Sequence, residues 1–149
     1  MTFQSENFDR IRDALSTVAE FELMTIMGLY QDKACRCFTD RPEIYALSGM
    51  KDIIEDDWHN LVIVNKTPYI CHDQTTLIED LKDEEQFIAH NWGSAVNLPV
   101  QLNGKVVGTV NLLGKEGIYK DIDINKALEI VQELATDIND FVKTQEVLS

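Results

Sequence analysis

Cysteine and histidine are the side chains of this sequence with the widest chemistry, and there are three of each: Cys35, Cys37 and Cys71, and His59, His72 and His90. Cys35-x-Cys37 places two thiols on one face of a strand, and with Cys71 and His72 the donors reach the four of a tetrahedral zinc site. C-x-C is not the spacing of a zinc knuckle, so no metal is expected. The cysteine count is odd and a chain of 149 residues has no need of staples, so all three are read as reduced thiols. The histidines share no fixed spacing, and no Ser-His-Asp arrangement follows from their order. His90, close to Trp92, is the one with a binding use: its imidazole can donate to a carboxylate or carbonyl, or else close a helix against its dipole.

Trp58 and Trp92 can each stack on a planar ligand or anchor a core. Asn97 is the sharpest anomaly, a polar residue in mid-strand on a face expected to be covered, where an unpaired amide costs about 1–3 kcal/mol. A ligand, a water or a loop backbone must answer it. Asn111 raises the same question, with backbone as its expected partner. The acidic runs Glu55-Asp56-Asp57 and Asp83-Glu84-Glu85 lack the Asp-x-Asp-x-Asp-Gly pattern of a calcium loop and read as solvated helix starts.

The elements that hold these residues are set by composition and periodicity. Thirteen Lys+Arg against 26 Asp+Glu leave a net charge of −13. Phosphate backbones and anionic membrane surfaces are therefore unfavourable partners. With 44% hydrophobic residues the chain can bury a core as one domain. The N-terminus has neither the basic nor the apolar region of a signal peptide, and no stretch is apolar enough to span a bilayer, so a cytoplasmic protein is expected.

Phe8, Ile11, Ala14, Leu15 and Val18 recur at helical spacing from Asn7 to Val18, with Ser5 as cap. Phe21–Tyr30 and about Ala34–Thr39 read as strands joined at Gln31-Asp32-Lys33. Asp40–Met50 reads as an ordered loop. A helix is expected from Asp57 through Val64, a short strand from Pro68 to His72, and a helix from Asp83 to about Asn91. Asn103-Gly104 joins two alternating runs over Ser94–Leu113, the signature of a type I′ hairpin. Pairing Leu102 with Lys105 and continuing without interruption sets Pro99 opposite Gly108, Asn97 opposite Val110 and Ala95 opposite Leu112. Asp123 can cap a long last helix with Ala127, Leu128, Val131, Leu134, Ala135, Ile138, Phe141 and Val142 along one stripe.

The run Gly93-Ser94-Ala95-Val96-Asn97-Leu98-Pro99-Val100, then Asn103-Gly104-Lys105-Val106-Val107-Gly108-Thr109-Val110-Asn111-Leu112-Leu113, resembles the core hairpin of the GAF domain. The element order matches over essentially the whole chain, and PAS-like sheets share the architecture. The resemblance implies an α+β fold: a central antiparallel sheet of about six strands, the N- and C-terminal helices on one face, and a small-molecule pocket on the other. It places Ala95, Asn97, Val110 and Leu112 on the pocket floor, with Trp58, His90, Trp92 and Tyr45 as further pocket candidates.

Chemistry known in subfamilies is only partly matched. Asn65-Lys66 is similar to the start of the cyclic-nucleotide signature, but Phe87 lies too far on and leads to Ile88, Ala89 and His90 instead of Asp-Glu. Cys71-His72 looks like the bilin-anchoring pair of phytochromes, yet it falls well ahead of its expected place before the hairpin. The free methionine sulfoxide reductases carry a cysteine just before the hairpin, where this chain has Ile88-Ala89-His90-Asn91-Trp92-Gly93. We therefore expect one GAF-like domain over 2–146 that senses a small molecule without catalysis, with an unknown ligand, no bilin or metal signature, and homodimerisation through the terminal helices. A small enzyme acting on a metabolite or redox substrate is the alternative, and a ligand-free interaction module is another.

Overall fold

The stripe Phe8, Ile11 and Leu15 lies on helix α1 (Phe3–Leu15) and is buried throughout. The computed structural model describes residues 3–148, and side chains are described over 6–145. Ser5 falls within α1, so it does not cap the helix, and its side chain lies outside the described residues. Strands β1 (Leu23–Tyr30) and β2 (Lys33–Thr39) follow, then a short edge strand β3 (Lys51–Asp52) just after the segment expected to be irregular. Helix α2 (Asp57–His59), capped by Asp56 accepting from the His59 amide, runs on as a π-helical turn over Asn60–Val64. Strand β4 (Tyr69–Cys71) precedes two short helices, α3 (Gln74–Leu81) and α4 (Glu84–His90). The core hairpin is β5 (Ser94–Leu102) and β6 (Lys105–Gly114), and the chain closes with α5 (Ile124–Gln132) and α6 (Ala135–Leu148).

The strands form one six-stranded antiparallel sheet in the order β3-β2-β1-β6-β5-β4. Helices α1, α5 and α6 cover one face, where Met24, Ile26, Val96, Leu98 and Val100 meet Leu134, Ile138 and Val142. The apolar stripe of the last helices is spent there: Ala127, Val131, Leu134, Ala135, Ile138 and Val142 are all buried against this chain's own sheet and α1. That removes the argument for a homodimer drawn from the stripe. The expected single helix is two, because the chain turns at Glu133 and Leu134, with Leu134 wholly buried in the corner.

Asn103 and Gly104 both have positive φ, 54° and 78°, as a type I′ turn requires. Leu102↔Lys105 and Gln101↔Val106 pair as expected, but the register then shifts, and Val100 pairs with Gly108, Pro99 with Thr109 and Asn97 with Asn111. Val107 is the extra residue of a bulge. Because side chains alternate, one inserted residue exchanges the faces of everything beyond it. Val110 and Leu112, expected on the pocket floor, lie opposite Leu98 and Val96 in the helix-packed core. Thr109 and Asn111 turn to the second face instead. Gly108, expected to leave room for Pro99, neighbours Gly28 beneath α6, where a Cβ on Gly108 would collide with the Met27 carbonyl and Ile138.

Candidate functional site

The second face of the sheet is roofed by α2, its π-helical turn, α3 and α4. Its core is Leu23, Tyr69, Cys71 and Ala95 from the sheet with Val62, Leu77, Phe87 and Trp92 above them. Register sets one row straight across it: Tyr69, Asn97, Asn111, Thr25 and Thr39 are successive cross-strand partners. All five carry amide or hydroxyl groups that need partners in a covered layer.

Side chains supply them. Trp58 Nε1 donates to Asn97 Oδ1 at 2.7 Å, Asn97 Nδ2 to Asn111 Oδ1 at 3.0 Å, and Asn111 Nδ2 to Thr25 Oγ1 at 3.3 Å. The Asn97 question is thus answered by a roof indole and a neighbouring strand. Asn111 uses side chains where backbone was expected, because the bulge moved it to this face. Tyr69 extends the row outward: its hydroxyl donates to Asp80 Oδ2 at 2.6 Å, and burial, with that carboxylate beside it, pushes the phenol well above its ordinary range.

The chain of hydrogen bonds lies between two cavities. One, of about 280 Å³, opens between Trp58 and Tyr69 and is lined by the acidic residues Asp56, Asp57, Glu79 and Asp80 together with Lys82. The other, also about 280 Å³, sits at the far end of β1 and β6 among Leu29, Ile53, His59, Ile63, Lys105 and Val106, and is lined as well by Val107 and by Asn139 of α6, so it opens at the end of the sheet and not under the roof alone. Three buried side-chain polar atoms among the described residues have no hydrogen-bond partner, His59 Nδ1 and Thr109 Oγ1 in this part of the protein and Tyr119 Oη in the helix-packed core.

The remaining expected site residues are structural supports. Trp92 is wholly buried, donates to Glu22 Oε1 at 3.3 Å and stacks on His90 with ring centroids 4.5 Å apart. His90 Nδ1 lies 3.0 Å from the Gln86 carbonyl. Tyr45 donates its hydroxyl to Asp83, and the Arg36 guanidinium lies 5.1 Å from the centre of its ring, so it pins the loop after β2 to the start of α4. Ala95 is on the roofed face but sealed within its core. Trp58 alone of the eight candidates lines either of the two cavities. The residues that periodicity missed are Thr109 and His59, since a threonine in a strand and a histidine at a helix end are ordinary in sequence.

Cys35 and Cys37 lie under α6 in the helix-packed core, while Cys71 is in the roofed one, so the four-donor zinc set does not assemble. Burial raises both Cys35 and Cys37 above the ordinary thiol range, and Cys37 is raised further by Cys35. A bilin does not fit either. Cys71 is 3% exposed with its thiol donating to the Asp73 carbonyl, and each cavity is small even for a drug-sized molecule.

No family model matches the sequence, and no curated protein does. Solved structures do match in shape. The GAF domain of a two-component sensor histidine kinase from Bacillus halodurans aligns over 92% of this chain and 94% of its own, with a TM-score of 0.71 at 15% identity. The type II free methionine-R-sulfoxide reductase from Thermoplasma acidophilum aligns over 93% and 94%, with a TM-score of 0.66 at 14% identity. A phycocyanobilin-bound GAF domain from a cyanobacterial phytochrome aligns over 92% and 94%, with a TM-score of 0.58 at 15% identity. The chain has the GAF fold.

Proposed function

We propose that this chain, as one module over 2–146, is a small-molecule-binding sensory domain whose ligand enters between the second sheet face and the roof of α2–α4, and that it performs no chemistry of its own. The observation that carries this reading is the contrast within one sheet. The helix-packed face holds the larger cluster of buried apolar side chains, whereas the roofed face carries a row of polar side chains across mid-sheet beside a cavity of about 280 Å³ between Trp58 and Tyr69. Solved structures of the same shape include a sensor-kinase GAF domain and one with a bound phycocyanobilin, which supports ligand binding as the use of such a face.

The reductase-like alternative has less behind it. Its chemistry needs an accessible thiolate, and the three thiols here are buried, with Cys35 and Cys37 in a different core from Cys71. No described helix is long and apolar enough to cross a membrane. Action in the cytoplasm, and without nucleic acid as a partner given the acidic balance, belongs to the proposal. Homodimerisation is left out of it because the terminal-helix stripe is already used.

Native mass spectrometry of the purified protein against a denatured run tests the reading, together with thermal shifts across a metabolite panel. A sensor retains a small mass or gains stability as RT ln(1 + [L]/Kd) with at least one compound. A bare protein mass and a flat panel would instead leave an interaction module.

A further inference from the structure

We propose that residues 115–119 form a strap that couples the roof to the start of α5, with Glu116 as its catch on the roof side; the strap as a route for a ligand's signal rests on reading the roofed face as the ligand-binding one. The segment follows β6 and leads to Asp123, the cap of α5. Its first three residues bond to the roof. Lys115 Nζ donates to the carbonyl of His90, the last residue of α4, at 3.0 Å. Glu116 Oε1 accepts from the amide of Gln74, the first residue of α3, at 2.9 Å. The Gly117 amide donates to the His72 carbonyl just beyond β4 at 3.0 Å and to Ser94 Oγ at 2.8 Å.

The next two residues belong to the other layer. Tyr119 is wholly buried in the helix-packed core, in the cluster that also holds Ala127 and Val131 of α5, and Ile118 packs against that cluster. Gly117, at a φ of 75°, makes the turn between the two sets of contacts. Five consecutive residues therefore touch both layers immediately before α5 begins.

The roof-side bonds fall on groups that a moving roof carries with it. The first amides of a helix have no partner inside it, so the Glu116 carboxylate answers one that α3 leaves open, with the sign that a helix N-terminus favours. Gln74 in turn donates through Nε2 to the Phe87 and Trp92 carbonyls, at 3.2 and 3.1 Å, which joins α3 to the end of α4 and the entry to β5. Gly93 makes room for the catch: a Cβ there would collide with the Glu116 side chain. On the core side the Tyr119 hydroxyl has no partner, so packing alone seats the ring, and a shift of the strap must be absorbed by the side chains around it. Coupling of this kind is a free energy and acts in both directions.

The test loosens the roof and reads the helices by amide hydrogen exchange under native conditions, resolved by NMR. Glu79→Gly, on an exposed position of α3, should speed exchange of the α3 amides roughly threefold through backbone entropy. Exchange over 118–122 and the first turn of α5 should rise with it, roughly twofold, while β2 is unchanged. Glu116→Ala should abolish that second rise and leave the first, and Glu116→Gln, which keeps an oxygen acceptor, should restore it. Gly93→Ala, whose methyl group displaces the catch from a buried position at ordinary φ, should act like Glu116→Ala and stands in for it if that variant folds poorly. No rise over 118–122 in Glu79→Gly, or a rise that survives both Glu116→Ala and Gly93→Ala, overturns the proposal. A rise shared equally by β2 reports global unfolding and overturns it too. The measurement needs no ligand, so a failed strap leaves the sensory reading standing, and a blank native mass and metabolite panel removes that reading while leaving the coupling in place.

Discussion

The two faces of this sheet are built from the same strands, yet they differ in how completely they are filled. On the helix-packed face, the glycines Gly28 and Gly108 bring α6 down onto the sheet, and Val96, Leu98, Val110 and Leu112 are wholly buried around them. On the roofed face a row of polar side chains crosses mid-sheet and is satisfied largely within itself, from Trp58 through Asn97 and Asn111 to Thr25. The two longest helices lie on the first face: α1 has 13 residues, α6 14 and α5 nine, against three in α2, eight in α3 and seven in α4 on the second. The larger apolar cluster lies on the first side, and on the reading proposed above the second is the one that keeps space for a ligand. A domain whose roof must admit a small molecule draws that roof from elements with low local stability.

The largest effect that separates the faces should come from truncation on the filled one. Leu98→Ala removes a wholly buried side chain beneath the terminal helices, where little can relax, and should cost about 2–5 kcal/mol in chemical denaturation. Asn97→Ala, one position away on the other face, should cost about 1–3 kcal/mol, mostly through the Trp58 indole and Asn111 amide that it strands. A double-mutant cycle of Asn97→Ala with Asn111→Ala should show strong coupling, whereas Leu98→Ala with Asn111→Ala should be nearly additive. Additive behaviour in the asparagine pair would mean that the row is a coincidence of register.

The sheet, its hairpin turn and the placement of the terminal helices were legible because they rest on strong signals: the Asn103-Gly104 turn and long apolar stripes. The contents of each face were not. Val106 and Val107 are both apolar, so alternation reads alike with or without a bulged residue between them and Gly108, and a one-residue shift is invisible to pattern. That single residue moved Val110 and Leu112 off the expected pocket floor and brought Asn111 and Thr109 onto the roofed face. Helix α3 was hidden for another reason. It buries only Leu77 fully, so it has almost no stripe, and its start depends on Asp73 accepting from the Thr76 amide. Trp58 was identifiable as a residue able to bond to a partner, but its bond to Asn97 spans 39 positions and no local rule reveals it.

Thiol labelling should distinguish the faces by rate. Cys35 and Cys37 can be reached only when α6 lifts from the sheet, and burial disfavours their thiolates. Cys71 lies on edge strand β4 under the short helices, where a local opening suffices. With a neutral maleimide under native conditions, followed by peptide mass spectrometry, Cys71 should label roughly tenfold faster than either, which corresponds to an opening easier by about 1.4 kcal/mol. Equal rates for all three would mean that the roof and the helix layer open as one unit.

The smallest effect has the opposite sign. Thr109 is wholly buried with its hydroxyl unpaired, so in the absence of ligand it carries a desolvation cost that nothing offsets. Thr109→Val keeps the shape and β-branching and replaces that hydroxyl by a methyl group, and should therefore stabilise the free protein by about 1 kcal/mol in urea denaturation. The same exchange at Thr25, whose hydroxyl accepts from Asn111, removes a used acceptor and should destabilise by a similar amount. The two threonines stand on one sheet face with opposite predicted signs. If both exchanges destabilise, the Thr109 hydroxyl has a partner in solution, such as a buried water, and the contrast between the two threonines is lost. If Thr109→Val alone stabilises, the hydroxyl is buried without a partner and the two threonines of one face differ only in whether a neighbour uses their oxygen.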